Sequence, residues 1–277
     1  METDDDLSKF EAHGAPPLPV ATISGSVEHE GARIRYASFG SNTAGPTVIL
    51  LHGGLGHSGN WGKQVPALVK HGYRTIVIDS RGHGPWKGHF GHSTRDARPF
   101  AYELLASDVA AVMDTLHVER AGHVGWSDGA CTALILASKA PARVAGVFFF
   151  ACNMDPSGTK AFEPSPIVDR CFARHMKDYA QLSATPEHFK AFADSVDLMQ
   201  RTQPNYTTRD LARISVPVMI VHSEYDEFIK REHAEYLARS IPNAGFVELR
   251  GVSHFAPLQQ PDYFNGALVT FLDKVFA

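Results

Sequence analysis

Gly125-Trp126-Ser127-Asp128-Gly129 joins an apolar run, His123 to Trp126, to a helix-like run, Ala130 to Ala140. A serine on a sharp strand-to-helix turn projects its Oγ away from the backbone, at the positive end of the helix. Such a turn forces strained backbone angles on the serine and demands small neighbours, and both flanks here are glycine. In this setting Ser127 is a candidate nucleophile, where a bare glycine-serine turn would carry no chemistry.

Outward from this turn, short apolar runs alternate with amphipathic stretches. Arg33 to Phe39, Thr47 to Leu51, Thr75 to Ile78, His123 to Trp126, Val144 to Ala151, Val216 to Val221 and Phe246 to Leu249 are strand-like. They are too short for independent helices and rich in β-branched and aromatic residues, as strands buried on both faces of a parallel sheet are. Tyr102 to Leu116, Ala130 to Ala140, Glu232 to Ile241 and Tyr263 to Phe276 carry helical spacing. The alternation predicts an α/β fold with a mainly parallel, doubly wound sheet and its active site at the strand C-termini.

Residues 153–213 break the pattern. They hold no convincing strand and are punctuated by Pro156, Pro164, Pro166, Pro186 and Pro204. They are expected to form a helical cap over a core made of 21–152 and 214–277. Cap residues Phe162, Phe172, Tyr179, Phe189, Phe192, Tyr206, Met154, Met176 and Met199 divide between pocket lining and internal packing. Residues 1–20, acidic and then proline-rich, are expected to be a mobile or loosely packed leader.

The chain has 277 residues, 44% hydrophobic and 20% charged, with a net charge of -4. That fits one domain with a large core and excludes the basic excess of a nucleic-acid binder. Three cysteines, Cys131, Cys152 and Cys171, without C-x-x-C spacing, argue against a disulfide framework. No basic start followed by an apolar run marks a signal peptide, and no segment approaches about 18–20 apolar residues. A cytoplasmic protein without a membrane span is the expectation.

A serine hydroxyl needs a base, and the base needs a carboxylate to fix its tautomer. Among 15 histidines, His254 stands out in Gly251-Val-Ser-His254, after the last strand run. Asp226 follows the Val216 to Val221 run, with Glu224 and Glu227 as rivals. The chain order Ser127, Asp226, His254 matches that of a nucleophile-elbow protein. Two backbone N–H groups are needed for the oxyanion, and Asp128 and Gly54 (in preference to Leu55) are the candidates. Leu55, Trp126, Met154 and Phe255 are candidate substrate contacts. No cofactor is called for. His83, His89 and His92 lack the acidic or cysteine partners a metal site needs.

Taken together, His52-Gly53-Gly54, Asp79-Ser-Arg-Gly-His-Gly84, the Ser127 turn, the Asp226 loop and the His254 loop resemble the α/β-hydrolase superfamily from about residue 25 onward. The resemblance implies an eight-stranded, mostly parallel sheet with a helical cap after the sixth strand. It implies Ser127, Asp226 and His254 as nucleophile, acid and base. The Gly-Trp-Ser-Asp-Gly turn is similar to that of valacyclovir-hydrolase-like enzymes and many bacterial carboxylesterases. The activity implied is serine hydrolysis of a small-molecule carboxylic ester or lactone. Carbon–carbon bond hydrolysis, cofactor-free perhydrolysis and low-turnover ligand binding are the alternatives. One departure is an apparent insertion, Pro85 to Gly91, beside the expected site entrance.

Overall fold

The computed structural model describes residues 7–40, 45–83, 99–183 and 185–277. The Pro85–Gly91 insertion, His89 and His92 lie outside the described residues. Eight strands form one sheet: β1 (Ile23–His29), β2 (Ala32–Phe39), β3 (Thr47–Leu51), β4 (Arg74–Asp79), β5 (Ala121–Trp126), β6 (Val144–Phe150), β7 (Val218–Tyr225) and β8 (Ala244–Ser253). Their spatial order is β1-β2-β4-β3-β5-β6-β7-β8. Only the β1–β2 and β2–β4 pairings are antiparallel. The strands β3 to β8 run parallel, which places their C-terminal ends along one rim.

The helices are α1 (Leu7–His13), α2 (Gln64–Lys70), α3 (Tyr102–Thr115), α4 (Asp128–Lys139), α5 (Pro166–Leu182), α6 (Phe189–Thr202), α7 (Thr208–Leu211), α8 (Arg231–Ser240), α9 (Ala256–Gln259) and α10 (Pro261–Phe276). Every residue of β5 and β6 is buried, as expected of apolar runs covered on both faces. One face packs on α3, α4 and α8 through Val109, Met113, Leu134, Phe149 and Leu237. The other packs on α2 and α10 through Val65, Leu68, Phe148, Phe150, Phe264 and Phe271. The two faces follow the strand alternation: Phe148 and Phe150 point one way, Phe149 the other.

Between β6 and β7 lie α5, α6, α7 and two short 3-10 turns, Pro156–Gly158 and Pro186–His188. Helix α5 starts where Ser165 Oγ accepts the Val168 N–H at 3.1 Å and Pro166 occupies the first turn. That combination satisfies one orphan N–H and spends a residue that has none to offer. No helix of the described residues is long and apolar enough to cross a membrane.

The N-terminal segment carries a short helix. Residues 7–13 form α1, and Leu7 and Phe10 are buried in one cluster with Ile167, Val168 and Cys171 of α5. Arg174 of α5 reaches the Ala12 carbonyl, and Arg170 lies 3.9 Å from Glu11. Two apolar residues three apart suffice to seat a short helix. They fall below the length at which periodicity separates helix from loop.

Candidate active site

The rim formed by the parallel strands gathers the candidate residues. Ser127 closes β5 and caps α4 with φ 54° and ψ -123°, a left-handed conformation that costs a non-glycine residue energy. Its N–H is tied to the Phe150 carbonyl at 2.9 Å, and its carbonyl accepts from Ala130 and Cys131 at 2.7 and 3.2 Å. The flanking glycines are sterically required. A Cβ on Gly125 would lie 2.2 Å from Ala130 Cα, and one on Gly129 would lie 2.1 Å from the Leu51 carbonyl oxygen.

Asp226 and His254 meet across the ends of β7 and β8. His254 Nδ1 lies 3.1 Å from each Asp226 carboxylate oxygen, with both side chains buried. A carboxylate can only accept, so Nδ1 carries the hydrogen and Nε2 holds the lone pair. Asp226 Oδ1 also accepts the N–H groups of Phe228 and Ile229 at 2.9 and 2.8 Å. Burial works against ionisation of Asp226, but the His254 charge and hydrogen bond outweigh it and hold the carboxyl below its ordinary range. For His254, burial disfavours the imidazolium. Asp226, then Glu227 and Asp128, outweigh that and raise its pKa above the usual histidine value.

The rival carboxylates serve elsewhere. Glu224 accepts the Gly251 N–H at 2.8 Å, and Glu227 accepts the His254 backbone N–H at 2.9 Å. Lys160, at the start of the inserted segment, donates to the Asp226 carbonyl at 2.6 Å, beside a bridge from Thr159 to Ile229.

The loop after β3 comes directly against the Ser127 turn. A Cβ on Gly53 would lie 3.2 Å from Ser127 Cβ. His52 fixes this loop as a neutral ring: Nδ1 donates to the Gly53 carbonyl at 2.8 Å and Nε2 accepts from the Ser80 N–H at 3.1 Å. Burial lowers its pKa despite Asp79 nearby. Leu55 has φ 62° and packs toward Tyr179, Phe192 and Val196.

The other candidate contacts divide. Trp126 and Phe255 are buried around His254: their rings are 5.9 Å apart, and they lie 6.2 and 5.6 Å from the imidazole. Phe228, which sequence reasoning did not single out, stands edge-on to the imidazole at 4.8 Å. Met154 is fully buried in the α3/α4 side of the core, with its backbone tied to His233 and Tyr206. In the segment between β6 and β7, Tyr179 and Phe192 are buried, whereas Phe162, Phe172 and Met176 are exposed. Among the described residues no cluster of histidine, cysteine or acidic side chains could hold a metal ion.

Sequence reasoning missed the role of the Asp128 side chain. Its buried carboxylate accepts Tyr102 Oη at 2.7 Å and Gln200 Nε2 at 3.0 and 3.1 Å. Burial pushes its pKa up against these two donors and His254. The signal was an acidic residue at the first helical position inside an otherwise apolar run, and no periodicity names its partners.

The model of the alpha/beta hydrolase family matches residues 48–267. The chain belongs to that family. Serine hydrolase BPHL from Mus musculus is 26% identical over 270 residues, spanning 92% of this chain and 89% of that protein. A 2-hydroxy-6-oxononadienedioate/2-hydroxy-6-oxononatrienedioate hydrolase from Paraburkholderia phymatum is also 26% identical, over 87% of this chain and 91% of its own. Among solved structures, Est816, described as an N-acyl homoserine lactone degrading enzyme, superposes with a TM-score of 0.68 at 25% identity. It covers 89% of this chain and 100% of that one. This alpha/beta hydrolase is thus similar to serine hydrolase, lactonase and carbon–carbon hydrolase members.

Proposed function

We propose that the protein is a serine hydrolase of carboxylic esters or lactones working through an acyl-enzyme. The observation that carries this is the left-handed backbone of Ser127 at the β5–α4 turn. Strain of that kind persists only where the surroundings enforce it, and it clusters at sites of chemistry.

Ser127 Oγ attacks the substrate carbonyl carbon while its proton passes to His254 Nε2. Asp226 holds the imidazole tautomer and stabilises the imidazolium. The Gly54 and Asp128 N–H groups take the oxyanion, the second aided by the N-terminus of α4. Collapse breaks the C–O bond, and His254 returns its proton to the leaving alkoxide. In the second half, water gives a proton to His254 and its oxygen to the acyl carbon, releasing the acid and restoring Ser127. Residues 153–213 act as a cap on a core of 21–152 and 214–277, with Leu55, Trp126 and Phe255 beside the reacting group. The serine hydrolase and lactonase relatives support the ester or lactone class.

Turnover of p-nitrophenyl acetate by the wild type and Ser127→Ala tests the assignment. Activity is expected in the wild type alone, and equal hydrolysis by both would refute it.

A further inference from the structure

The pairing of β7 with β8 breaks just before His254. Ser223 faces Leu249 and Tyr225 faces Ser253, so β8 advances four residues where β7 advances two. Such a bulge bends its strand and re-aims the side chains that follow. It also takes backbone N–H groups out of the ladder, and each then needs another acceptor. Gly251, with φ 73°, makes the turn inside the bulge.

Carboxylates at the end of β7 supply those acceptors. Glu224 takes the Gly251 N–H at 2.8 Å, and Glu227 Oε2 takes the His254 N–H at 2.9 Å. Asp226 takes the imidazole Nδ1–H instead, at 3.1 Å. Two adjacent residues thus grip His254, one at its backbone and one at its ring. Asp226 is held in turn, its carboxylate by the Phe228 and Ile229 N–H groups and its carbonyl by Lys160 Nζ at 2.6 Å.

The imidazole stands among aromatic rings, Phe228 at 4.8 Å, Phe255 at 5.6 Å and Trp126 at 6.2 Å. Charges act more strongly there than in water. Those facing the ring are Asp226 and Glu227 from the end of β7 and Asp128 from α4, with Lys160 on the far side of the Asp226 carbonyl. Burial raises the Glu227 pKa, and the His254 N–H and charge work against that rise.

We infer that Glu227 is a positioning residue for the base: its carboxylate fixes the His254 backbone beside Asp226 and brings a second negative charge to the imidazolium that forms in turnover. This deepens the serine hydrolase reading and rests on it for the role of His254 as base. The two contributions separate by substitution. Glutamine keeps an oxygen for the N–H and removes the charge, whereas alanine removes both.

Glu227→Gln, Glu227→Ala and Glu224→Gln are made in the wild type and in Ser127→Ala. The His254 titration is followed by NMR in Ser127→Ala, its signals assigned by their loss in His254→Gln. Glu227→Gln is expected to raise the acid dissociation constant of His254 about three- to tenfold, a downward shift of its midpoint, and to keep the Nδ1–H resonance of the bond to Asp226. Glu227→Ala shifts the midpoint as far and also broadens that resonance. Glu224→Gln, whose bond is to Gly251, changes neither. With Ser127 present, Glu227→Ala lowers kcat for p-nitrophenyl acetate on the alkaline plateau about tenfold with KM within about twofold, and Glu227→Gln regains most of it. A midpoint unmoved in Glu227→Gln, an equal shift in Glu224→Gln, or a wild-type kcat and Nδ1–H signal in folded Glu227→Ala would each overturn the assignment. If Glu227→Ala does not fold, the Glu227→Gln midpoint decides alone. The NMR measurement runs without Ser127, so a lack of ester turnover would refute the hydrolase reading while the midpoint still judges the Glu227 contact.

Discussion

Gln200 of helix α6, in the segment between β6 and β7, donates to both carboxylate oxygens of Asp128, the residue after the candidate nucleophile, at 3.1 and 3.0 Å. The contact joins the inserted segment to the first turn of α4. Tyr102 completes it from α3, and Gln203 ties the end of α6 to Phe100 and Tyr102. Cutting this link leaves a buried carboxylate with one side-chain donor fewer. Gln200→Ala is expected to destabilise the fold by about 1–3 kcal/mol, read from urea unfolding. An unchanged midpoint would show that Asp128 does not need α6.

Gly54 sits inside the same contact. A Cβ there would lie 2.7 Å from both Asp128 Oδ2 and Gln200 Nε2, and 3.3 Å from Val196 Cγ1. Gly54→Ala must push apart two groups already held by each other, moving a proposed oxyanion donor. We expect kcat for an ester to fall by about 100-fold, since displacements near 1 Å have that effect. Wild-type kcat in a folded Gly54→Ala protein would remove Gly54 from the oxyanion site.

Asp226 and its rivals are separable by charge removal. Asp226→Asn keeps the shape but lets His254 adopt the wrong tautomer, with an expected loss of about 10⁴-fold in kcat. Glu224→Gln, which alters only an exposed contact to Gly251, is expected to retain activity within about twofold. Steady-state kinetics on the two variants decides between them, and the reverse ranking would reassign the acid.

The acidic limb of the pH profile reports His254. The base must be neutral to accept the Ser127 proton, so kcat/KM rises as pH rises through its pKa. Since Asp226, Glu227 and Asp128 raise that pKa, the midpoint is expected above the ordinary value of 6.5. Glu227→Gln should shift it down. The same raised pKa makes a stability contribution that is fully present below the unfolded-state value and is lost as pH climbs through the folded one. A midpoint below 6.5 would contradict the electrostatic picture.

Arg81 and Asp108 form a buried bidentate pair, with bonds of 2.7 and 2.6 Å. Arg81→Ala strands the carboxylate. A loss of about 3–5 kcal/mol in urea unfolding is expected, and a loss under about 1 kcal/mol would mean that water reaches Asp108.

The sheet was legible because β3 to β8 are apolar runs bounded by glycine and polar residues. β5, for example, ends at Trp126 as expected. Strand β1 was not, since Ile23–His29 lies at the edge with its residues exposed or half-buried and only Val27 packed on the core. Asp226 and His254 were legible as candidates from chain order, although β7 and β8 run to Tyr225 and Ser253, four residues past the apolar runs that announced them. Helix α1 escaped because two buried residues in seven give no period. The Asp128 link escaped for a different reason. It joins residues 72 positions apart, and only the tertiary fold brings them together.

Covalent labelling of Ser127 is the most direct test of the central claim. The wild type is incubated with a fluorophosphonate, digested, and its peptides weighed by mass spectrometry. The account predicts one phosphonyl group on the peptide carrying Ser127, loss of ester hydrolysis in step with labelling, and no label on Ser127→Ala. Continued hydrolysis by unlabelled protein, or a label at another residue that abolishes turnover, would contradict it.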